Sequence, residues 1–206
     1  MTIKSRTSLL TTARYLDVLD TTKLAFVGAV MLLVAQTSVV LIQFVRNDFS
    51  IAFSGSESYG QIAENIVNSG LYSLDGHHPT AFRPPLYPLY LTPFIALFGD
   101  SFRWVAAVSQ SVLDIGCGVL MFFISLRIFK SNLGAFISVL MYVLHYTFHV
   151  ESIHQRETIL FTFLLVLFFY LITGKRSIVI YSVLSCVAAL SYLTKSTGIF
   201  LFPLIL

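Results

Sequence analysis

The polar stretch from Asp48 to Arg103 carries residue types that could do chemistry at a membrane surface. It follows a long apolar segment and contains carboxylates, among them Glu57, and an arginine, Arg83, directly before two prolines. A carboxylate can take a proton from a hydroxyl group, and arginine can bind a phosphate through two parallel hydrogen bonds. Because a membrane protein has little structural reason to keep so long a polar loop, the loop predicts a site at the membrane surface.

The composition is typical of an integral membrane protein. Hydrophobic residues make up 56% and charged residues 11% of the 206 residues, against about 25% charged residues in soluble domains. The formal net charge of +3 is small and spread along the chain. Nucleic acid is therefore not expected as a partner, whereas membrane lipids are.

Apolar runs near the roughly 20 residues that cross a bilayer predict an all-α polytopic membrane fold with about five full spans and a partial sixth. Residues 1–23 are expected to form a cytoplasmic segment and residues 24–206 the transmembrane domain, with 47–103 as an outer loop. The run from Thr197 to Leu206 is too short to cross, so the chain is predicted to be the N-terminal part of a longer protein. The runs are Leu24–Val45, Trp104–Phe129, Leu133–Val150, Thr158–Thr173 and Ile178–Leu193, with a start at Thr197.

The distribution of Lys and Arg predicts an N-terminus on the cytoplasmic side. Eight of these residues would then lie inside and five outside, the outer five spread over longer loops. Cytoplasmic loops carry the excess of positive residues. The loop 47–103 and the turn from Glu151 to Glu157 would share the outer face.

Within the outer loop, local patterns predict two helices. Ser54 with Glu57 and Ser58 with Gln61 have the spacing of capping boxes, apolar residues recur at helical spacing, and Gly70 supplies a stop. A helix is therefore predicted at Ser58–Asn68. A second helix is predicted from Pro84 to Leu97, broken by its internal prolines.

The loop and two later segments resemble, in the same order, lipid-dependent glycosyltransferases of the GT-C type, in the family 39 or protein-mannosyltransferase-like group. Arg156–Leu164 is similar to that group's Thr-Glu-x-Leu-Phe segment, and Leu193–Lys195 to its Leu-Thr-Arg/Lys segment. The positions that match in the first outer loop are Tyr59, Ile62, Ala63, Asn65, Ile66, Gly70, Tyr72, Arg83, Pro84, Pro85, Leu86, Tyr87 and Pro88.

The resemblance implies transfer of a sugar from a polyprenyl-phosphate donor to an acceptor hydroxyl of a lipid, glycan or protein. It also implies a multi-pass protein of a bacterial plasma membrane, acting in protein glycosylation or in the cell envelope. No cofactor is assigned, although a divalent metal could assist the base. The candidate catalytic residues are Glu57 and Glu157, and the candidate substrate-binding residues are Arg83, Tyr59, Tyr87 and Lys195.

The chain departs from the family at the position of the catalytic acid. The family places an Asp four residues before the Tyr, and that position is Gly55 here. Three alternatives follow: Glu57 has taken over the role, Asp48 reaches the site, or the chain is inactive. Glu57 could instead serve only as the capping-box acid, and Glu157 only as a charge favoured by the helix dipole.

Asp114 lies deep in the second predicted span, where a charged residue is expected to be paired or functional. The sequence alone identifies no partner for it. His145, His149 and His154 are interpreted as a hydrogen-bonding face at the membrane interface. A catalytically inactive membrane scaffold is the first alternative function, and a transporter subunit, with Asp114 in its pathway, is the second.

Overall fold

The computed structural model describes residues 21–23, 25–38, 42, 45, 58–145, 149, 151–174 and 177–205. In this part of the chain the regular structure is helical, as the sequence predicts, and β pairing is confined to an isolated bridge between Ser73 and Pro79. A 3₁₀ turn (Gly99–Ser101) joins α3 to α4, and a 3₁₀ segment (Ser196–Leu204) follows α7. The helices are α1 (Thr21–Ser38), α2 (Tyr59–Ser69), α3 (Leu86–Phe98), α4 (Phe102–Phe129), α5 (Asn132–Leu144), α6 (Thr158–Ile172) and α7 (Ile178–Thr194).

Two helical stretches of the described residues are long and apolar enough to cross a membrane. They are α1 and the stretch Leu86–Phe129, which comprises α3, the 3₁₀ turn and α4. Helices α5, α6 and α7 are apolar but only 13, 15 and 17 residues long, short of the roughly 20 residues of a full crossing. Large apolar side chains such as Ile178 and Leu133 are exposed on these helices, which suits a surface that faces lipid. The five full spans stay a prediction.

Helix α2 forms where the apolar spacing predicts it, and it ends as expected at Gly70. Gly70 has a φ of +69°, and its N–H donates to Ile66 O at 3.0 Å; glycine adopts this left-handed conformation without strain. The prediction of a capping box at Ser58 is wrong, because Ser58 has a φ of +65° and its hydroxyl makes no capping hydrogen bond. A capping residue needs an extended backbone. The box of Ser54 and Glu57 lies outside the described residues.

Helix α3 continues through Pro93, whereas the sequence predicts a helix broken by its prolines. Pro88 lies in the first turn, where the N–H groups have no partner within the helix, and Pro93 removes a single backbone hydrogen bond. The interruption comes instead at Gly99, where φ is +50° and ψ −128° and the 3₁₀ turn begins. Glycine accepts this conformation because it has no Cβ.

Contacts near the helix ends place the predicted outer segments at one end of the bundle. Near the end of α4, Arg127 Nη1 donates to Tyr170 O of α6 at 2.7 Å. Near the start of α4, Gln110 Nε2 donates at 3.0 Å to the carbonyl oxygen of Ser152, which lies just before α6. Helices α4 and α6 therefore run in the same direction. At the end of the bundle where α4 begins, a buried cluster joins α2, α3, α4 and the turn before α6. Its members are Tyr59, Ala63, Tyr87, Leu91, Ala106, Ala107 and Ile153.

Asp114, in the middle of α4, is buried and bonded to two residues at and beyond the end of α5. Its Oδ2 lies 2.6 Å from His149 Nδ1, and its Oδ1 accepts from the Tyr142 hydroxyl. His149 Nε2 lies 3.2 Å from the Tyr142 carbonyl oxygen. Both ring nitrogens of His149 thus lie within hydrogen-bond distance of an oxygen atom, so the buried carboxylate and the buried ring have polar partners.

The expectation of a paired Asp114 is confirmed, and two details of the sequence interpretation are wrong. His149 is fully buried rather than on an interfacial face. Helix α5 ends at Leu144, before the predicted Val150, and His145 has a ψ of 72°. The chain thus leaves the helix before His149 turns toward Asp114.

Tyr142→Phe should lower the free energy of unfolding by about 1–3 kcal/mol, because a buried oxygen of Asp114 loses its donor. Thermal or denaturant unfolding in detergent measures this change. Tyr90→Phe is the matched control: the Tyr90 hydroxyl donates to Ser109 Oγ at 2.7 Å, and Ser109 is only half-buried. An equal cost for the two substitutions would contradict the importance of the Asp114 contact.

Candidate functional site

Arg83 lies against two aromatic rings at the end of the bundle where α4 begins. The carbon atom of its guanidinium is 5.0 Å from the centre of the Tyr59 ring and 4.8 Å from that of the Phe82 ring. Stacking of this kind uses the faces of the guanidinium, while its N–H donors lie in the plane of the group. The arrangement restricts the cation to one position and suits the two-point binding of an oxyanion.

Tyr59 and Tyr87 form a buried support beneath Arg83. Their rings meet edge to face at 5.1 Å between centroids, and their exposed fractions are 2% and 0%. The Tyr87 hydroxyl donates to Gln110 Oε1 at 2.6 Å. The structure therefore brings together three of the four residues assigned to substrate binding, with Arg83 half-buried and the two tyrosines fully buried.

The segment that carries Arg83 is fixed to α2 and to its own loop by hydrogen bonds. The Tyr72 hydroxyl donates to Arg83 O at 2.8 Å, Thr80 N donates to Tyr72 O at 2.9 Å, and Asn65 Nδ2 donates to Ser73 O at 3.0 Å. Burial raises the pKa of Tyr72, so its hydroxyl keeps the proton that it donates. These bonds explain why the Arg83 segment has a defined position without helix or strand structure.

At the tip of this loop, Asp75 closes a turn. Its carboxylate accepts from the backbone N–H groups of His77 and His78 at 2.9 and 2.8 Å and contacts the His78 ring. The hydrogen bond with the His78 side chain, followed by those from the backbone, holds the pKa of Asp75 well below its usual range. The residue therefore acts in the structure of the turn.

Glu157 and Lys195 form an ion pair at the same end of the bundle. Glu157 Oε1 lies 3.5 Å from Lys195 Nζ, and the Lys195 ammonium also lies 6.0 Å from the centre of the Phe161 ring. The other oxygen of Glu157, Oε2, is buried and has no hydrogen-bond partner among the residues that the structure describes. Although Glu157 is the residue before α6, its side chain does not cap the helix. A buried polar atom without a partner is costly and calls for an explanation, such as a bound group.

An open pocket of about 530 Å³ lies between the Arg83 segment and the end of α7. Lys195 stands in the sequence between two of the lining residues, Leu193 and Ser196, but neither it nor Glu157 is among the residues that line the pocket. The volume falls within the 300–1,000 Å³ or so that is typical of ligand sites. Its lining includes Tyr72, Phe82, Arg83 and Pro85 on one side and Tyr192, Leu193 and Ser196 on the other.

The carboxylates expected before Tyr59 lie outside the described residues. This applies to Glu57 and Asp48, and also to Gly55. Among the residues that the structure describes, no group of three or more His, Cys, Asp or Glu side chains could hold a metal ion. A divalent metal at the site stays a prediction.

Gln110 is a member of this region that the sequence analysis missed. It is fully buried, and its amide joins Tyr87 to the carbonyl oxygens of Ser152 and His154. The available signal was the presence of an amide within an apolar helix, since such a group must find hydrogen-bond partners. Its partners lie 23, 42 and 44 residues away in the sequence, where no local pattern reveals them.

A comparison with known families identifies one match. Residues 82–206, well over half of the chain, match the family described as dolichyl-phosphate-mannose-protein mannosyltransferase. The match begins beside Arg83 and includes Gln110, Glu157 and Lys195, while α2 with Tyr59 precedes it. Comparisons with curated proteins and with solved structures gave no significant match.

Proposed function

The chain belongs to the dolichyl-phosphate-mannose-protein mannosyltransferase family, and we propose on this premise that it transfers a sugar from a polyprenyl-phosphate donor to an acceptor hydroxyl. Membership of this family, together with the apolar helices, indicates an integral membrane glycosyltransferase of the GT-C type. We further propose that it belongs to the family 39 group and acts on the outer face of a plasma membrane.

In the proposed reaction, the acceptor oxygen attacks the anomeric carbon of the donor sugar. Its proton passes to a carboxylate, the bond between the anomeric carbon and the phosphate oxygen breaks, and the lipid phosphate leaves with the bonding electrons. Arg83 binds the leaving phosphate, because a planar cation with paired donors matches the charge that develops there. Tyr59 and Tyr87 hold Arg83 in position, and Lys195 holds Glu157.

Two carboxylates are candidates for the base. Glu57 is closest in sequence to the position where the family keeps its Asp, and Glu157 pairs with Lys195 and has a buried oxygen without a hydrogen-bond partner among the described residues. A hydroxyl is a weak nucleophile, so a positioned base contributes about 10²- to 10⁴-fold to such a transfer. The acceptor is a hydroxyl of a lipid, glycan or protein.

The observation that carries the proposal is the pocket between Arg83 and the segment that holds Lys195. Arg83 lines this pocket on one side, and Leu193 and Ser196, the neighbours in sequence of the lysine that pairs with Glu157, line it on the other. An arginine with only a structural role could also stack on Tyr59 and Phe82. Such a role would not require the open pocket that lies beside Arg83.

The test is donor turnover by the full-length protein in lipid vesicles with labelled polyprenyl-phosphate mannose. A transferase releases polyprenyl phosphate and moves label to the acceptor, and Arg83→Ala loses both activities. An inactive scaffold leaves the donor intact although the protein is folded. A transporter subunit moves the intact donor or sugar across the vesicle membrane without releasing lipid phosphate.

We also propose that the N-terminus and the end of α4 lie in the cytoplasm, that residues 58–103 lie outside, and that the chain crosses the membrane with five full spans. On a Cys186→Ser background, His77→Cys should react with a membrane-impermeant maleimide added to intact cells. Ser131→Cys, at the opposite end of the bundle, should react only after the cells are permeabilised. Both positions are exposed, and Cys117 is buried. The reverse labelling pattern would exclude this orientation.

A further inference from the structure

Gln110 is the one residue of α4 whose described hydrogen bonds reach both parts of the proposed site. Its Oε1 accepts from the Tyr87 hydroxyl at 2.6 Å, and its Nε2 donates to Ser152 O at 3.0 Å and His154 O at 3.2 Å. Carbonyl oxygens only accept, so Nε2 must face them and Oε1 must face the hydroxyl. The orientation of the amide is thus determined by its partners, and the donor hydrogens of Nε2 and the acceptor Oε1 are all used.

On one side, Gln110 fixes the support of Arg83. Tyr87 meets the Tyr59 ring edge to face at 5.1 Å, and Arg83 lies 5.0 Å from the centre of that ring. A shift of Tyr87 therefore moves the surface on which the guanidinium rests. Two aromatic side chains, and therefore three successive contacts, connect the amide to the cation.

On the other side, Gln110 fixes the turn that leads into α6. His154 lies three residues before Glu157 in the sequence. Ser152 Oγ also donates to His149 O at 2.7 Å. The same turn lies close against α2, because a Cβ atom at Gly60 would overlap the amide of Gln155. The position of the Glu157 carboxylate thus depends on a turn that Gln110 holds by two hydrogen bonds.

We propose that Gln110 is a positioning residue of the transferase site, setting the separation between Arg83 and Glu157 through Tyr87 and the 151–157 turn. This inference rests on the proposed function. A displacement of reacting groups by about 1 Å can cost about 10²-fold in rate even when the altered residue does not touch the substrate. Loss of the amide should therefore lower kcat much more than it raises KM for the donor, because Arg83 itself is retained.

Gln110→Met tests this, since methionine has a similar length and shape but forms none of the three bonds. The expected result is a kcat about 10²-fold lower per folded molecule, with KM for polyprenyl-phosphate mannose changed less than about threefold. Tyr142→Phe is the control: it also removes a buried hydrogen bond, but at Asp114, outside the site. It should retain near-normal kcat. Equal kcat in Gln110→Met and Tyr142→Phe would show that Gln110 is only structural and overturn the inference.

A second measurement does not depend on turnover. Spin labels at Gln61 of α2 and at Ser196, both exposed, report the distance across the site on a Cys186→Ser background. Gln110→Met should shift or broaden this distance distribution, whereas Tyr142→Phe should not. If the unsubstituted protein shows no turnover, the proposed function fails, and the distance measurement then decides separately whether Gln110 positions the two segments. An unchanged distribution overturns the inference.

Discussion

Arg83→Ala should lower kcat/KM for a polyprenyl-phosphate sugar by about 10²- to 10³-fold, the usual effect of removing a group that stabilises developing charge. The guanidinium is fixed against Tyr59 and Phe82 at the edge of the pocket, so no neighbouring side chain of that lining can replace it. Arg83→Lys keeps the charge but not the paired donors or the stacking, and should recover only part of the loss. Donor binding and turnover are measured in the same vesicles.

Arg103→Ala is the matched control for this experiment. Arg103 lies at the start of α4, and its guanidinium carbon is 5.9 Å from the centre of the Phe102 ring. It is thus another arginine stacked on an aromatic ring, but it does not line the pocket. It should keep turnover within a few-fold. Unchanged donor binding in Arg83→Ala, or an equal loss in Arg103→Ala, would remove Arg83 from the role of phosphate ligand.

Glu157→Gln should reduce turnover by about 10²- to 10⁴-fold if this carboxylate is the general base. Glutamine retains the size of the side chain but cannot accept the proton of the acceptor hydroxyl. Because Glu157 also pairs with Lys195 at 3.5 Å, part of any loss could come from weaker folding. Thermal unfolding of the same samples separates the two, since a lost base lowers kcat without a matching loss of folded protein.

Glu151→Gln is the matched control in the same turn. Glu151 Oε1 lies 3.3 Å from Arg156 Nη1, and its Oε2, like that of Glu157, is buried without a hydrogen-bond partner in the described part of the chain. It should keep normal turnover, since it pairs with Arg156 and not with Lys195. Glu57→Gln in the same assay identifies the base: a large loss there with normal Glu157→Gln would assign the role to Glu57. A gain in Gly55→Asp would show that the chain had lost the usual acid.

The helical class and the α2 region could be predicted from the sequence because they depend on local properties. Hydrophobic spacing, the proline pair before α3 and the glycine at position 70 act over a few residues. The prediction of a cap at the start of α2 is wrong. Ser58 is a residue type that often caps helices, but its backbone has a left-handed conformation. Residue type alone does not give the backbone conformation that a cap requires.

The arrangement of the site could be predicted only as an order along the chain. The resemblance placed Arg83, Glu157 and Lys195 on one face, but the contacts that position them join distant residues. Asp114 and His149 are 35 residues apart, and Tyr87 and Gln110 are 23 apart. A hydrogen bond between residues so far apart does not appear in any local sequence pattern. A polar side chain in an apolar helix nevertheless indicates that it has a hydrogen-bond partner.

The buried pairing of Asp114 has a consequence for biosynthesis. During translation, Asp114 emerges from the ribosome before Tyr142 and His149 do, so the aspartate reaches the translocon ahead of its partners. An aspartate near the middle of a membrane helix raises the cost of insertion by about 2.5–3.5 kcal/mol. Helix α4 should therefore remain at the translocon until α5 and His149 arrive, and enter the lipid with α5 as a hairpin. The order of membrane integration would then depend on the contacts of Asp114 with Tyr142 and His149.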